Sequence, residues 1–250
     1  MNNRGETFDN RFMPVQRRGA KTMAARKSRV YIYVVDRDFG FAPNPYHGVC
    51  TLACCKYRIR STAQVGDWVF GVGGSSLKAT GRCIFGMQVT DTMSFEEYWS
   101  NPRYLAKRPV RNGSRAMMLG DNIYHRPGPE EPWEQENSHH SHPDGTPNPS
   151  NIETDTRTNK ILASTHFVYF GTAAPEVPDH IFDAMGYSNA INHRVFSRDE
   201  ACDLLTWFNE GTKGDIGAVL SDPFQFRDST ARYSAGSNKI IKEIVELMDL

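Results

Sequence analysis

No run of about 18 consecutive apolar residues occurs anywhere in the 250-residue chain, so the sequence offers no membrane-spanning helix. An excess of one charge is missing as well. The 29 Lys and Arg residues face 29 Asp and Glu residues, so no global field draws in a polyanion, and any contact with nucleic acid has to use a local patch. Cysteine is sparse. There are five, and two of them, Cys54 and Cys55, are adjacent, which makes a poor disulfide framework and suits a reducing compartment. The basic N-terminus lacks the apolar core of a secretory signal. A cytoplasmic protein with no membrane contact is the expectation. Internal repeats are absent, and so are a G-x-S-x-G elbow and a Walker lysine–serine pair.

What is present divides into a short leader and one long domain. Residues 1–29 carry eight basic residues, Arg4 to Arg29, against Glu6 and Asp9, and show no apolar periodicity. They read as a disordered, solvated leader, with a phosphate-binding basic arm as the sharper alternative. Residues 30–250 read as the globular part. Residues 30–35 are β-branched and aromatic throughout and predict a buried strand. A loop broken by Gly40, Pro43 and Pro45 follows, then an apolar stretch over residues 49–55. Residues 65–74 and 83–89 predict two further strands joined by a glycine-rich hairpin loop.

Ser94 and Glu97 have capping-box spacing, as do Ser197 and Glu200, and each box predicts a helix start. Residues 161–170 read as one strand ended by Gly171. Ser237 is placed to cap a C-terminal helix with Ile240, Ile241, Ile244, Val245 and Met248 on one face. Between residues 101 and 159 regular structure is scarce, and a loop region of that length inside a compact chain marks either function or disorder. Strands come first and helices are interspersed singly, so the expected class is α+β, with a mixed or antiparallel, strongly curved sheet and helices packed around it.

Several chemistries compete. His139, His140 and His142 crowd together, but in a Pro- and Ser-rich loop far from any cysteine, so no metal site is expected. Cys50, Cys54 or Cys55 becomes a nucleophile if a histidine or cation lowers its pKa; the flanking Val49, Leu52 and Ala53 favour a buried core strand instead. Gly71 to Ser76 reads as a hairpin loop whose amides could also hold an anion. Phe39, Phe41, Tyr46, Trp68, Tyr124 and Trp133 lie beside amides and charges, the composition that stacks a base and reads its edge, although part of that set belongs to the core.

The motifs Gly40-Phe41-Ala42-Pro43-Asn44-Pro45, Cys50-Thr51-Leu52-Ala53-Cys54-Cys55-Lys56 and Gly66-Asp67-Trp68 resemble the second of the nucleotide-modification-associated domain families. So do Phe95-Glu96-Glu97-Tyr98-Trp99, Gly120-Asp121-Asn122-Ile123-Tyr124-His125 and Ser164-Thr165-His166-Phe167-Val168-Tyr169-Phe170-Gly171. The likeness runs from about residue 30 to residue 223. It implies a part in modifying or processing nucleic-acid bases in bacterial or phage systems. By matching motif, the polar candidates it implies are Asn44, Lys56, Asp67, Asp121, Asn122, His125, His139 and Asp155. Gly66 to Trp99 is also similar in order to PUA/EVE-like barrels, a likeness of fold that carries little about function.

The resulting expectation is a protein that binds a nucleotide, or a base within nucleic acid. Phe41 or Tyr124 stacks the base, Asn44 or Asn122 reads its edge, and Lys56 or Arg58 meets phosphate, with His139 also at the ligand. Asp121 and His125 are the candidates for proton transfer, with Asp67 as a further catalytic candidate. A non-catalytic reader of modified bases and a scaffold protein are the alternatives. The sequence names no cofactor.

Overall fold

The structure is a computed structural model that describes residues 26–189 and 192–241. The leader expected at residues 1–29 falls outside the described residues up to residue 25, and the end of the expected C-terminal helix, residues 242–250, does too. Among the described residues no helix is long and apolar enough to cross a membrane.

The first strand, β1 (Arg29–Val35), forms where the β-branched and aromatic run fills both faces with buried side chains. After the Gly- and Pro-rich loop come β2 (Cys50–Leu52) and α1 (Tyr57–Thr62). Next are the hairpin of β3 (Trp68–Gly73) and β4 (Cys83–Gln88), then β5 (Asp91–Met93) and α2 (Phe95–Ser100). The long middle segment contains a 3-10 helix at Pro102–Lys107, then α3 (Arg115–Met118), β6 (Tyr124–His125), β7 (Glu134–Gln135) and α4 (Pro149–Asp155). Then follow β8 (Ile161–Ser164), β9 (His166–Tyr169), α5 (Asp179–Met185), β10 (His193–Ser197) and α6 (Cys202–Gly211). The last strands are β11 (Ala218–Val219), β12 (Arg232–Ser234) and β13 (Lys239–Ile241).

The main sheet has six strands in the order β10-β1-β3-β4-β9-β11. It is mixed: β1 pairs parallel with β3 and β9 parallel with β11, and the other neighbours are antiparallel. β10 and β11 are its two edges, so it stays open. The α+β expectation holds, whereas the described residues form no closed PUA-like barrel. A second sheet, β2-β8-β5, is antiparallel.

The stretch read as one strand over residues 161–170 breaks at Thr165, and its halves serve different sheets. Ser164 marks the handover: its hydroxyl donates to the Gln88 carbonyl (2.6 Å), lies 2.9 Å from the His166 carbonyl, and accepts from the His166 amide (3.0 Å). There the chain turns out of one ladder and into the next.

Two cores result. One packs the main sheet against α5 and α6, where Phe208 meets Phe70 edge-on at 5.1 Å. Gly86 makes that approach possible, since a Cβ there would lie 2.6 Å from both rings. The other core gathers Phe39, Phe41, Phe95, Tyr98, Tyr104, Ile123 and Tyr124. The reciprocal bonds of both boxes form, but only the first caps a helix: Ser197 ends β10, and α6 starts five residues later at Cys202 with no side-chain cap. At the first, Ser94 Oγ accepts from the Glu97 amide at 3.1 Å, and the Glu97 carboxylate accepts from the Ser94 amide at 2.7 Å.

The expected helix at Ser237 does not form in the described part. Residues 235–238 are a turn between β12 and β13, with Asn238 left-handed at φ 52°, and Ile240 faces Tyr233 across the hairpin. The β-branched pair Ile240-Ile241 suits a strand, and Asn tolerates the left-handed turn position. Asn151 fixes the hairpin from outside by accepting from the Ala235 amide (2.6 Å) and donating to the Tyr233 carbonyl (2.6 Å).

Candidate active-site cleft

A cleft of about 870 Å³ opens beside the C-terminal end of β1. That volume lies within the range of small-molecule sites. Separate pieces of chain build it, among them the loop after β1, the corner at Cys55 to Arg58, the His139-His140 pair from the long middle segment, and the end of α4 with Asp155. Tyr233 and Asn238 of the last hairpin close one side.

The corner has an uncommon backbone. Cys55 (φ 56°) and Lys56 (φ 36°) are consecutive non-glycine residues in the left-handed region, a costly conformation that persists only when its surroundings over-determine it. They do. The Cys55 amide donates to Asp155 Oδ1 at 2.6 Å, and Arg60 Nε donates to the Cys55 carbonyl at 2.9 Å. Arg60 is fully buried, and it also donates to the carbonyls of Asp155 and, at 2.9 Å, Lys160. The apolar stretch at residues 49–55 is therefore not a core strand throughout. β2 ends at Leu52, and Cys55 turns out to the cleft, partly exposed.

At this corner a thiol, an imidazole and a carboxylate line up. Cys55 Sγ lies 3.7 Å from His140 Nε2, and His140 Nδ1 lies 2.7 Å from Asp155 Oδ2. Tyr124 donates its hydroxyl to the same Asp155 oxygen at 2.8 Å, and Gln135 donates to Tyr124 at 3.0 Å. His140 is 2% exposed and Asp155 1%. Burial alone would lower the His140 pKa, but the Asp155 carboxylate and Cys55 override it and hold the imidazole up at about 10. Burial likewise pushes Asp155 up, and His140 and Arg60 outweigh it, leaving the carboxyl below its ordinary value. Both directions describe one ionised pair.

The cleft walls mix aromatics with cations. Lys56 Nζ sits 4.4 Å from the Tyr33 ring centroid, and Arg37 lies over Tyr233 at 5.4 Å. Lys56 keeps solvent access through the opening while protein surrounds it on other sides, and desolvation lowers its pKa. Arg58 is exposed at the rim and donates to the Tyr57 hydroxyl at 3.1 Å. Phe41 forms floor beneath His140, with ring centroids 4.6 Å apart. His139 is buried beside it with Nδ1 2.6 Å from the Ala231 carbonyl; burial and the charge on His140 hold its pKa well down.

Five of the expected site residues, Phe41, Lys56, Arg58, His139 and Asp155, thus share this cleft, together with Phe39, Cys55 and His140. Asn44, Asp67, Asp121, Asn122, Tyr124 and His125 do not line it. Asp121 is fully buried and accepts from Thr51 and Tyr98, each at 2.7 Å; burial raises its pKa to about 6. Asn44 donates to the Leu119 carbonyl and accepts from buried Lys107 at 2.7 Å. Asn122 donates to the carbonyls of Tyr98 and Tyr104. The segments around Pro43 and Ile123 do meet, but as a polar seam inside the second core. Tyr124 stands behind the cleft, as the hydroxyl on Asp155. His125 stacks on Trp99 at 4.0 Å and bonds Glu136 at 2.9 Å, with no contact to Asp121. Asp67 accepts from the amides of Arg29 (2.7 Å) and Gln64 (3.0 Å) and pairs with Arg26, a turn that fastens the start of β1.

Among the described residues the three histidines do not form one group of ligand atoms. Among the described residues one group of possible ligands exists, Cys54, His140 and Asp155, with ligand atoms within 4.8 Å of one another. Its donors are committed elsewhere. His140 Nδ1 and Asp155 hold each other, and the Cys54 thiol is aimed at the Asp121 carbonyl at 3.8 Å and pushed well up by burial.

The Cys55–His140 meeting was the feature sequence reasoning undervalued, because 85 positions separate the two residues. The local sign was a cysteine followed by Lys-Tyr-Arg, polar residues where a core strand would have continued.

These features define an α+β protein with a thiol–imidazole–carboxylate group at the base of an aromatic and cationic cleft. The chain belongs to the nucleotide modification associated domain 2 family, whose model matches residues 27–230. No curated protein and no solved structure matches it.

Proposed function

We propose that the cleft binds a nucleotide, or a base drawn out of nucleic acid, and that the domain takes part in modifying that base. The observation that carries this reading is the gathering of Arg37, Lys56 and Arg58 around aromatic walls in one opening, on a chain with no net charge to spread. A nucleotide presents both matching chemistries, a flat ring for the aromatics and a phosphate for the cations. Family membership supports the same direction and reaches no further than nucleotide modification. In this reading Phe41 and Tyr233 face the base, Lys56 and Arg58 meet phosphate, and His139 shapes the floor.

The test is thermal-shift and equilibrium titration of the whole protein with nucleoside monophosphates, triphosphates and short oligonucleotides. Ligands of the native state raise the melting temperature. Lys56→Ala and Arg58→Ala are each expected to weaken binding by about tenfold, the loss of about 1.4 kcal/mol, with a shallower salt dependence. Wild-type protein that responds to none of these ligands refutes the proposal. Binding that leaves the ligand's mass unchanged after long incubation turns the assignment to a reader.

A further inference from the structure

Five thiols are present, and four of them are unsuited to chemistry. Burial pushes Cys50 up to about 12 and raises Cys54 and Cys83 further, and all three are sealed in the core. Cys202 is exposed, but its neighbour is the Asp203 carboxylate at 3.3 Å, which raises its pKa. Cys55 alone opens onto the cleft and faces an imidazole. We propose that Cys55 is the nucleophile of an acyl-transfer reaction, with His140 moving the proton and Asp155 orienting His140. The substrate class is an ester, amide or thioester whose acyl group passes through a Cys55 thioester. This inference rests on the preceding reading of the cleft for one point, that the nucleotide is the partner giving or receiving the acyl group.

The geometry assigns each role. Asp155 takes His140 Nδ1 and so leaves Nε2 directed at the thiol, the tautomer and orientation a thiol–imidazole pair requires. The 3.7 Å separation is a loose sulfur–nitrogen contact of the kind that tightens when substrate binds. A second layer holds the base in place: Gln135 and Asn151 both donate to the His140 carbonyl, at 3.1 and 2.5 Å, and Tyr124 holds Asp155. Such supporting bonds preset a reacting geometry. The strained corner at Cys55 and Lys56 presents sulfur toward the cleft instead of the core.

The reaction balances without a cofactor. The proposed step starts from the form of the pair in which the proton sits on His140 Nε2 and Cys55 is the thiolate. The thiolate adds to the carbonyl carbon, forming the C–S bond while the carbonyl π pair moves to oxygen. Collapse restores C=O and breaks the bond to the leaving oxygen, nitrogen or sulfur, which departs with the Nε2 proton of His140. An incoming hydroxyl, amine or water then gives its proton to neutral His140 as it attacks the thioester, and Cys55 leaves as the thiolate. No electrons are gained or lost.

The experiment uses two probes that need no nucleotide. In brief exposure to iodoacetamide at about pH 6, where an ordinary thiol is overwhelmingly protonated, peptide mapping should find Cys55 alkylated at least about tenfold faster than exposed Cys202. His140→Gln should lose that advantage at about pH 6 and recover it as pH rises, while circular dichroism confirms the fold. With S-acetyl-N-acetylcysteamine, intact mass should show one acetyl group on the wild type, released by hydroxylamine, and none on Cys55→Ser. Cys55 reacting no faster than Cys202, or acetylation of Cys55→Ser to the wild-type level, overturns the proposal. So does a stoichiometric metal in the purified protein whose removal by chelator is what exposes Cys55. If Cys55 is acylated as expected but no nucleotide binds or protects it, the thioester chemistry stands and the nucleotide reading falls.

Discussion

The buried His140–Asp155 pair makes stability depend on pH. His140 has a folded-state pKa raised from the ordinary 6.5 to about 10. A group raised in this way adds stability that is fully present below 6.5 and is lost as pH climbs through 10. The interval spans roughly three and a half pH units at about 1.4 kcal/mol each, a ceiling of about 5 kcal/mol. Asp155 works at the other end. Its folded pKa is depressed, so its contribution is fully present above the ordinary carboxyl value and is lost as pH falls below that through the depressed folded-state pKa. The perturbation that isolates the histidine is His140→Gln. At about pH 6 it should cost roughly 3–5 kcal/mol, because a buried carboxylate loses its cation. Urea unfolding of both proteins at steps between about pH 6 and pH 10 gives the assay. The gap between wild type and variant should narrow steadily toward high pH as the wild-type imidazolium loses its proton. A gap of constant size across that range would refute the ionised pair.

Arg60→Met should destabilise by about 3 kcal/mol or more, since it strips the buried bonds to the Cys55 and Asp155 carbonyls; urea midpoints and slowed iodoacetamide labelling of Cys55 would both register it. Gly86→Ala should cost roughly 1–3 kcal/mol by forcing apart Phe70 and Phe208, which stand 2.6 Å from the new Cβ, and a melting temperature like wild type would show that those rings give way freely. Ser94→Ala removes the first capping box and should cost about 1 kcal/mol in equilibrium unfolding. Tyr124→Phe should cost about 2 kcal/mol through the lost bond to the Asp155 carboxylate, with nucleotide affinity unchanged in titrations.

Local features were the legible ones. A capping box lies within four residues, so Ser94-Phe95-Glu96-Glu97 shows its helix start directly. The run at β1 carries its strand preference in each side chain. The final hairpin was misread because Ile240 and Ile241 fit a helical stripe equally well. Pairing with Tyr233 and the two bonds from Asn151 settled it, and those partners lie outside any local window. Thr165 hides the same kind of decision, since an unbroken apolar run says nothing about which sheet each half joins. Within the cleft, Phe41, Lys56, Arg58 and His139 were identifiable as aromatic, cationic or imidazole groups on loops. Asp121 and Asn44 looked alike by that criterion, yet Lys107, Thr51 and Tyr98 draw them into the core.

The order of residues along this chain therefore determined its class, the helix start at Ser94, its main strands and the stock of chemical groups available to a site. Each of those depends on neighbours a few positions away. Which groups meet was decided only by the tertiary structure. A thiol on one corner, an imidazole in a long irregular segment and a carboxylate at the end of a short helix become one reactive group through packing. The physical reason is that such contacts are long in sequence and short in space. They are fixed by burial of Arg60 and the satisfaction of its hydrogen bonds, not by any preference of the residues that make them.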